Sequence, residues 1–183
     1  VVKVSDPRVP VDRKAGTNNK LNRNKSSLAI RLDTPAGRSA FLELVSISDV
    51  VIESFRPRVM RNFDLDHDAL RKVRPDLIMC AMSGFGSTGE HAEFPAYGTS
   101  VESITGIPSL MGYDGGSPMT SGIAFPDPVA GLNAVSAVLT ALRHRTETGE
   151  GQFIDLALSE GPVCQIGELI GARGHGGGQP ERL

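Results

Sequence analysis

The stretch SGIAFPDPVAGLNAVSAVLTALRHRTETGEGQFIDLAL, residues 121–158, decides the fold prediction because it joins a long helix pattern to a strand pattern. Apolar residues recur at spacings of three and four through its middle, which predicts a helix whose apolar face is formed by Leu132, Val135, Val138, Leu139 and Leu142. Three basic residues at 143–145 suit the last turn, and Gly149 is expected to end the helix. The apolar run that starts at Phe153 then predicts a strand.

The start of this helix carries a carboxylate, Asp127, followed by Pro128. The pair predicts Asp127 as the N-cap and Pro128 in the first turn, where the missing N–H costs nothing. A cap of this kind contributes about 1 kcal/mol. The local pattern favours the cap, and it leaves open a chemical role for the same side chain.

Strand and helix patterns alternate along the rest of the chain. Strands are predicted at 27–32, 49–55 and 76–83, the last two as buried apolar runs. Helices are predicted from Pro35 and over 59–62, 66–73, 97–107 and 160–172, whereas residues 5–26 are predicted to form an exposed loop. This order predicts a doubly wound (Rossmann-like) α/β fold, with a parallel sheet flanked by helices and right-handed crossovers. We expect residues 1–183 to form a single domain portion that ends in a glycine-rich tail over 172–183.

Composition excludes several classes of function. The net charge of −2 and the pI near 6.1 give no electrostatic case for binding nucleic acid or an anionic membrane. No apolar run approaches the length of a membrane span, and no signal-peptide pattern is present. Cys80 and Cys164 lie in apolar segments, which predicts reduced core thiols in a cytoplasmic protein. The four histidines lack metal-ligand spacing, so no metal site is predicted.

A glycine cluster follows the third predicted strand, at Gly84, Gly86 and Gly89. The carboxyl end of a strand is where α/β folds place ligands. The cluster is not a dinucleotide fingerprint, because no helix begins at its third glycine. A ligand-binding loop and a plain loop are equally compatible with this pattern.

Two segments, GIAFPDPVAGLNA and ALRHRTETGEGQFIDLAL, closely resemble the family III CoA-transferases of the CaiB/BaiF type. The resemblance runs in order from Val1 to about Arg182. It implies that Asp127 is the nucleophile, which attacks an acyl-CoA to form a mixed anhydride and then an enzyme–CoA thioester that a carboxylic acid resolves. Backbone N–H groups at the helix start are expected to stabilise the oxyanions. The resemblance also implies coenzyme A as substrate, no metal, and an interlocked homodimer.

The resemblance further implies contacts to coenzyme A at three segments. Arg56 is compatible both with pairing to a phosphate and with an ordinary surface arginine, and Phe55 fits packing better than adenine stacking. Two positions depart from formyl-CoA transferase-like members: Asp6 and Asn62 stand where those members have arginine, although Arg61 is adjacent. The implied contact residues are Ile30, Arg31, Leu32, Asp33, Ser54, Phe55, Arg56 and Tyr97.

Two alternatives stay open at this point. The α-methylacyl-CoA racemases resemble the same segments, but they use a histidine where this chain reads Pro95-Ala96-Tyr97-Gly98, and His91 lies a few residues upstream. Without a second acid–base group, two-face proton transfer loses a contribution of about 100-fold or more, which favours the transferase. The second alternative is an inactive CoA-binding remnant, because family members are longer and continue into a small domain.

Overall fold

The structure is a computed structural model that describes residues 1–10 and 16–176. All strand pairs in these two ranges are parallel, and helices connect the strands, so the predicted α/β class is confirmed. The strands are β1 (Val2–Ser5), β2 (Ser26–Ala29), β3 (Val50–Glu53), β4 (Ile78–Ser83) and β5 (Phe153–Ala157). The helices are α1 (Gly16–Asn22), α2 (Pro35–Ser46), α3 (Pro57–Asn62), α4 (His67–Leu70), α5 (Gly98–Ile104), α6 (Pro126–Thr148), α7 (Glu160–Gln165) and α8 (Gly167–Gly174).

The described strands form two sheets. Strands β1 and β2 pair with Val2 opposite Ser26, and a second sheet has the order β3-β4-β5. The central strand β4 is almost wholly buried, as its apolar run predicts, whereas β3 lies at an edge and exposes Ile52. The prediction of a buried strand at 49–55 is therefore wrong for its outer face, because an edge strand is covered less completely.

The main core lies between β4 and the helices α2, α3 and α4. Helix α2 begins at Pro35, as predicted, and its N-cap is Thr34, which accepts the Gly37 N–H at 3.1 Å. The buried cluster consists of Phe41, Val45, Met60, Leu65, Leu70, Leu77 and Met79.

The long helix α6 covers 126–148 and ends at Gly149, which adopts the left-handed conformation at φ +79°. Its predicted apolar face is wrong for three of five residues: Leu132, Val135 and Leu139 are 72%, 58% and 61% exposed, whereas Val138 and Leu142 are half-buried. The buried side instead carries mainly small residues, which let the helix approach the sheet closely; they are Val129, Ala130, Ala134 and Ala141.

Three other predictions need correction. Part of the predicted loop at 5–26 is helical, since α1 covers Gly16–Asn22. Cys80 is buried as predicted, but Cys164 is exposed on the short helix α7. Helix α8 extends into the predicted tail as far as Gly174, and residues 177–183 of that tail lie outside the described part. Among the described helices, none has the length and apolarity needed to cross a bilayer.

Candidate active site

Asp127 is the second residue of α6 and not its N-cap, so the prediction of a capping role is wrong. Phe125 occupies the cap position with helical dihedral angles (φ −48°, ψ −36°), and Pro126 begins the helix. Within the described residues the Asp127 carboxyl group accepts no hydrogen bond and forms no ion pair. The Asp127 side chain therefore does not cap a backbone N–H group at the start of α6.

The carboxyl group of Asp127 lies against the start of helix α5. A Cβ atom added at Gly98 would be 2.7 Å from Asp127 Cγ, closer still to Oδ1, and 2.9 Å from Ala124 Cβ. Asp127 as a whole is exposed, but this packing removes water from one side of its carboxyl group. The lost hydration raises the pKa of Asp127 above its ordinary value. An unpaired, partly dehydrated carboxylate is the state in which a carboxylate is most nucleophilic.

The turn that precedes Asp127 and places it in this position is strained. Gly122 has φ +73°, and Ala124 adopts the left-handed region at φ +50°, which costs a residue with a side chain about 1 kcal/mol. The Asp127 N–H donates to the Ala124 carbonyl at 3.0 Å. Strain of this kind persists only where surrounding contacts fix the backbone.

The expectation that the start of α6 supplies free N–H groups is wrong for the first turn of the helix. Pro126 and Pro128 have no N–H, and the N–H groups of Asp127 and Val129 donate to Ala124 and Phe125. In the first turn of α5, by contrast, the N–H groups of Gly98 and Thr99 have no acceptor among the described residues. The N–H groups of Ala124 and Phe125 also have no acceptor in the described part of the chain, so the unpaired donors near Asp127 belong to the turn before α6 and to the first turn of α5.

A second feature is a cavity of about 1000 Å³ beside the sheet of β1 and β2. That volume is at the upper end of ordinary ligand pockets. Four of the eight predicted contact residues line it, namely Ile30, Leu32, Asp33 and Phe55. Asp127 and Tyr97 are not among its described lining residues. The structure thus divides the predicted site into a cavity and a separate carboxylate.

The remaining predicted contact residues flank these two features. Arg31 lies outside the lining and pairs with Asp33 at 2.9 Å, and Ser54 and Arg56 adjoin Phe55. The Arg56 guanidinium has no hydrogen-bond or ion-pair partner in the described part of the chain, so it is available. Tyr97 is 82% exposed at the cap of α5, next to the glycine that contacts Asp127.

Sequence reasoning missed Arg8 at the cavity. Its guanidinium donates to both carboxyl oxygens of Asp6, with Nε–Oδ1 at 2.9 Å, and it reaches Asp33 at 3.1 Å. These bonds from Arg8 lower the pKa of Asp6 to about 2. Hydrogen bonding from Arg31 lowers the pKa of Asp33 as well. Asp6 stands where the resemblance implies an arginine in relatives, and the guanidinium of Arg8 lies beside it. The spacing of two residues between Asp6 and Arg8 did not by itself indicate this pairing.

Two other features noted in the sequence, the glycine loop and His91, interact with neighbouring side chains. In the glycine loop, the Ser87 N–H donates to both carboxyl oxygens of Asp155, at 3.0 and 2.9 Å, which favours the plain-loop interpretation. The His91 ring packs against Phe94 and Phe85, with centroid distances of 4.8 and 5.9 Å. The described residues contain no cluster of three or more His, Cys, Asp or Glu side chains arranged to hold a metal ion.

The protein thus has a parallel α/β fold, and its unpaired Asp127 carboxylate is a candidate acyl-accepting group. The sequence profile of CoA-transferase family III matches residues 1–183, so the chain belongs to this family. It is 42% identical over 137 residues to the succinate–glutarate CoA-transferase of Agrobacterium fabrum, a match that covers 75% of this chain and 34% of the relative. It is 40% identical over 154 residues to the beta subunit of the succinyl-CoA–L-malate CoA-transferase of Chloroflexus aurantiacus, covering 84% and 38%.

A solved structure has the same fold. The crystal structure of a CaiB/BaiF family protein from Brucella suis superimposes with a TM-score of 0.90 at 31% identity, covering 100% of this chain and 52% of that one. The chain thus spans about a third of the length of these curated relatives and about half of this structural neighbour.

Proposed function

We propose that the protein transfers coenzyme A from an acyl-CoA to a carboxylic acid, with Asp127 as the nucleophile. The observation that carries this proposal is the Asp127 carboxyl group itself, which packs against Gly98, lacks a partner in the described residues, and has a raised pKa. The curated relatives are named as CoA-transferases, which supports the same class of reaction.

Each half of the proposed reaction, donor and acceptor, has two successive steps at the Asp127 carboxyl group. A carboxylate oxygen of Asp127 attacks the thioester carbonyl, the C–S bond breaks, and CoA thiolate leaves a mixed anhydride behind. The thiolate then attacks the Asp127 carbonyl, so the donor leaves as a carboxylate and the enzyme holds a thioester. The acceptor carboxylate runs these steps in reverse, which releases a new acyl-CoA and free Asp127. Holding the reactants together replaces the high concentration that a carboxylate nucleophile needs in water.

We propose that coenzyme A binds in the cavity beside β1 and β2 and extends from it toward Asp127. Ile30 and Leu32 offer apolar contact, and Arg56 offers an unpaired guanidinium for a phosphate. Arg31, Asp33, Ser54, Phe55 and Tyr97 complete the proposed contact set. Arg8 does not replace the arginine of relatives as a free cation, because Asp6 and Asp33 already neutralise it.

In its full length we expect the protein to be a cytoplasmic homodimer, as the family resemblance implies. The apolar residues exposed on α6, including Leu132 and Leu139, support an additional contact surface in the whole protein. Light scattering of the full-length protein at several concentrations measures the assembly, and a monomer at all concentrations would contradict this part of the proposal.

The function is tested by intact-protein mass spectrometry after incubation with acetyl-CoA or succinyl-CoA, followed by hydroxylamine. Hydroxylamine converts an activated aspartyl group into a stable hydroxamate. We expect a mass increase that peptide mapping locates at Asp127 and that the Asp127→Asn variant lacks. The absence of an adduct, together with deuterium entering the α-carbon of a 2-methylacyl-CoA in heavy water, would replace the transferase proposal with a racemase.

A further inference from the structure

The one fully buried charged side chain among the described residues belongs to Glu102, which is 0% exposed on helix α5. Its carboxyl group accepts two hydrogen bonds from one residue: the Ser121 N–H donates to Oε1 at 2.6 Å, and the Ser121 hydroxyl donates to Oε2 at 2.9 Å. A buried carboxyl group is costly unless it is hydrogen-bonded, so both bonds are needed to keep it there. Glu102 therefore fixes Ser121 in position and orientation.

Ser121 is the first residue of the turn that leads to Asp127. Five residues separate Ser121 from Asp127, and two of them, Gly122 and Ala124, have positive φ. The last bond of the turn joins the Asp127 N–H to the Ala124 carbonyl. Because a turn of this geometry is not favoured by local preference, an external contact at its start determines where its end lies.

Helix α5 contacts both ends of this turn. Gly98 and Glu102 are four residues apart, so they lie on the same side of the helix. Gly98 leaves the space that the Asp127 carboxyl group occupies, while Glu102 holds Ser121. One rigid element thus sets the position of the carboxylate through two independent contacts.

We propose that Glu102 is a positioning residue, which orients the Asp127 carboxyl group through its two hydrogen bonds to Ser121. The inference rests on the proposed function, since it concerns the same nucleophile. It assigns no contact with substrate to Glu102. Loss of the two hydrogen bonds is expected to slow the attack step and to leave acyl-CoA binding almost unchanged.

The test compares Glu102→Ala and Glu102→Gln in the full-length protein. The acyl-CoA donor is whichever of acetyl-CoA and succinyl-CoA labels the wild-type protein faster. For Glu102→Ala we expect kcat to fall about 100-fold, because a misplacement of the order of 1 Å has that effect, with KM for the donor changed less than about twofold. In Glu102→Gln the amide oxygen accepts from the Ser121 N–H, and the amide nitrogen donates to the Ser121 hydroxyl. This variant is therefore expected to recover kcat to within about threefold of the wild type.

Two further variants keep the test decisive if Glu102→Ala does not fold. Ser121→Ala removes the hydroxyl donor alone and is expected to lower kcat about fivefold. Ser103→Ala is the matched control on the same helix, because its hydroxyl bonds only to the Thr99 carbonyl within α5, and we expect no change. Circular dichroism and thermal unfolding establish the folded fraction of each variant.

The outcomes separate the two proposals. Wild-type rates of Asp127 labelling in folded Glu102→Ala, or in Ser121→Ala where the first variant is unfolded, would overturn the positioning role and leave Asp127 as nucleophile. A higher KM with unchanged kcat would also overturn it, because that pattern indicates uniform substrate binding. A wild-type protein that forms no Asp127 adduct with either donor would contradict the proposed function, and the inference with it.

Discussion

The two ends of helix α6 hold charged side chains in opposite situations. At the amino end, Asp127 has no partner in the described part of the chain and rests against Gly98. At the carboxyl end, Arg145 is 16% exposed and donates to the carbonyls of Asp49 and Asp76, both at 3.3 Å, and to Asp49 Oδ1 at 3.0 Å. These acceptors lie just before β3 and β4, so Arg145 fastens the helix to the sheet.

The difference separates a group that stabilises the fold from one that is available for chemistry. Arg145 donates three hydrogen bonds to fixed backbone and carboxyl oxygens, which makes it part of the packing. Asp127 contributes nothing of this kind, and its raised pKa shows that its surroundings disfavour its charged form. A protein keeps such a residue at a cost to stability, which is typical of functional sites.

The largest effect is expected from Asp127→Asn in the full-length protein. The amide cannot form an anhydride, so we expect CoA transfer to fall at least about 1000-fold. Stability should stay within about 0.5 kcal/mol of the wild type, because no bond to the carboxyl group is lost. Steady-state rates and urea unfolding measure the two quantities. Retained transfer would show that the unpaired carboxylate is not the reactive one.

Gly98→Ala is expected to have the second-largest effect on activity. The added methyl group would overlap the Asp127 carboxyl group and displace it, which should lower kcat about 100-fold. Gly171→Ala on α8 is the matched control, because a Cβ there meets no atom within 4 Å. Equal kcat values for the two variants would mean that the contact with α5 does not matter for the reaction.

Arg145→Met tests the other end of α6. The variant leaves the carboxyl groups of Asp49 and Asp76 without one of their partners, and we expect a loss of about 2 kcal/mol in the free energy of unfolding. Arg143→Met is the control, since Arg143 is 76% exposed and its pair with Glu147 is worth only about 0.4 kcal/mol. Asp127 labelling per folded molecule should be unchanged in both variants, and a fall in labelling would show that the two ends are coupled.

The pKa shifts at the two ends of α6 have opposite directions, so the labelling rate and the stability should both decrease as pH falls but over different pH ranges. Asp127 reacts as the ionised form and its pKa is raised by lost hydration, so labelling should decrease about tenfold per unit below a midpoint higher than that of an ordinary aspartate. The pKa of Asp76 is lowered, chiefly by hydrogen bonding from Arg74 and also by the charge of Arg145. Its contribution to stability is present above the unfolded pKa and is lost as pH falls through the lowered folded value.

Initial labelling rates and unfolding midpoints across the acid range measure both profiles. Asp127→Asn should abolish the labelling profile and leave the acid unfolding profile in place, whereas Arg145→Met should shift only the acid unfolding profile. A labelling midpoint at or below the ordinary value for aspartate would contradict the dehydrated environment of Asp127.

Much of the fold followed from local patterns. Strand β4 was predicted from its apolar run, the start of helix α2 from Pro35, and the end of α6 from Gly149, because each depends on backbone preferences of a few residues. The buried side of α6 could not be predicted in this way. Its stripe of Leu132, Val135 and Leu139 has the spacing of a core face, but the sheet selected the small residues, which only tertiary packing reveals.

The sequence by itself determined the α/β class, the family, and Asp127 as the candidate nucleophile, since these depend on residue order and on motifs contiguous in the chain. Only the tertiary structure decided that Asp127 is not a cap, that Gly98 makes room for its carboxyl group, and that Glu102 holds the turn before it. These contacts join residues 19 to 29 positions apart. Their geometry depends on how α5 packs against the turn, and no local pattern encodes that packing.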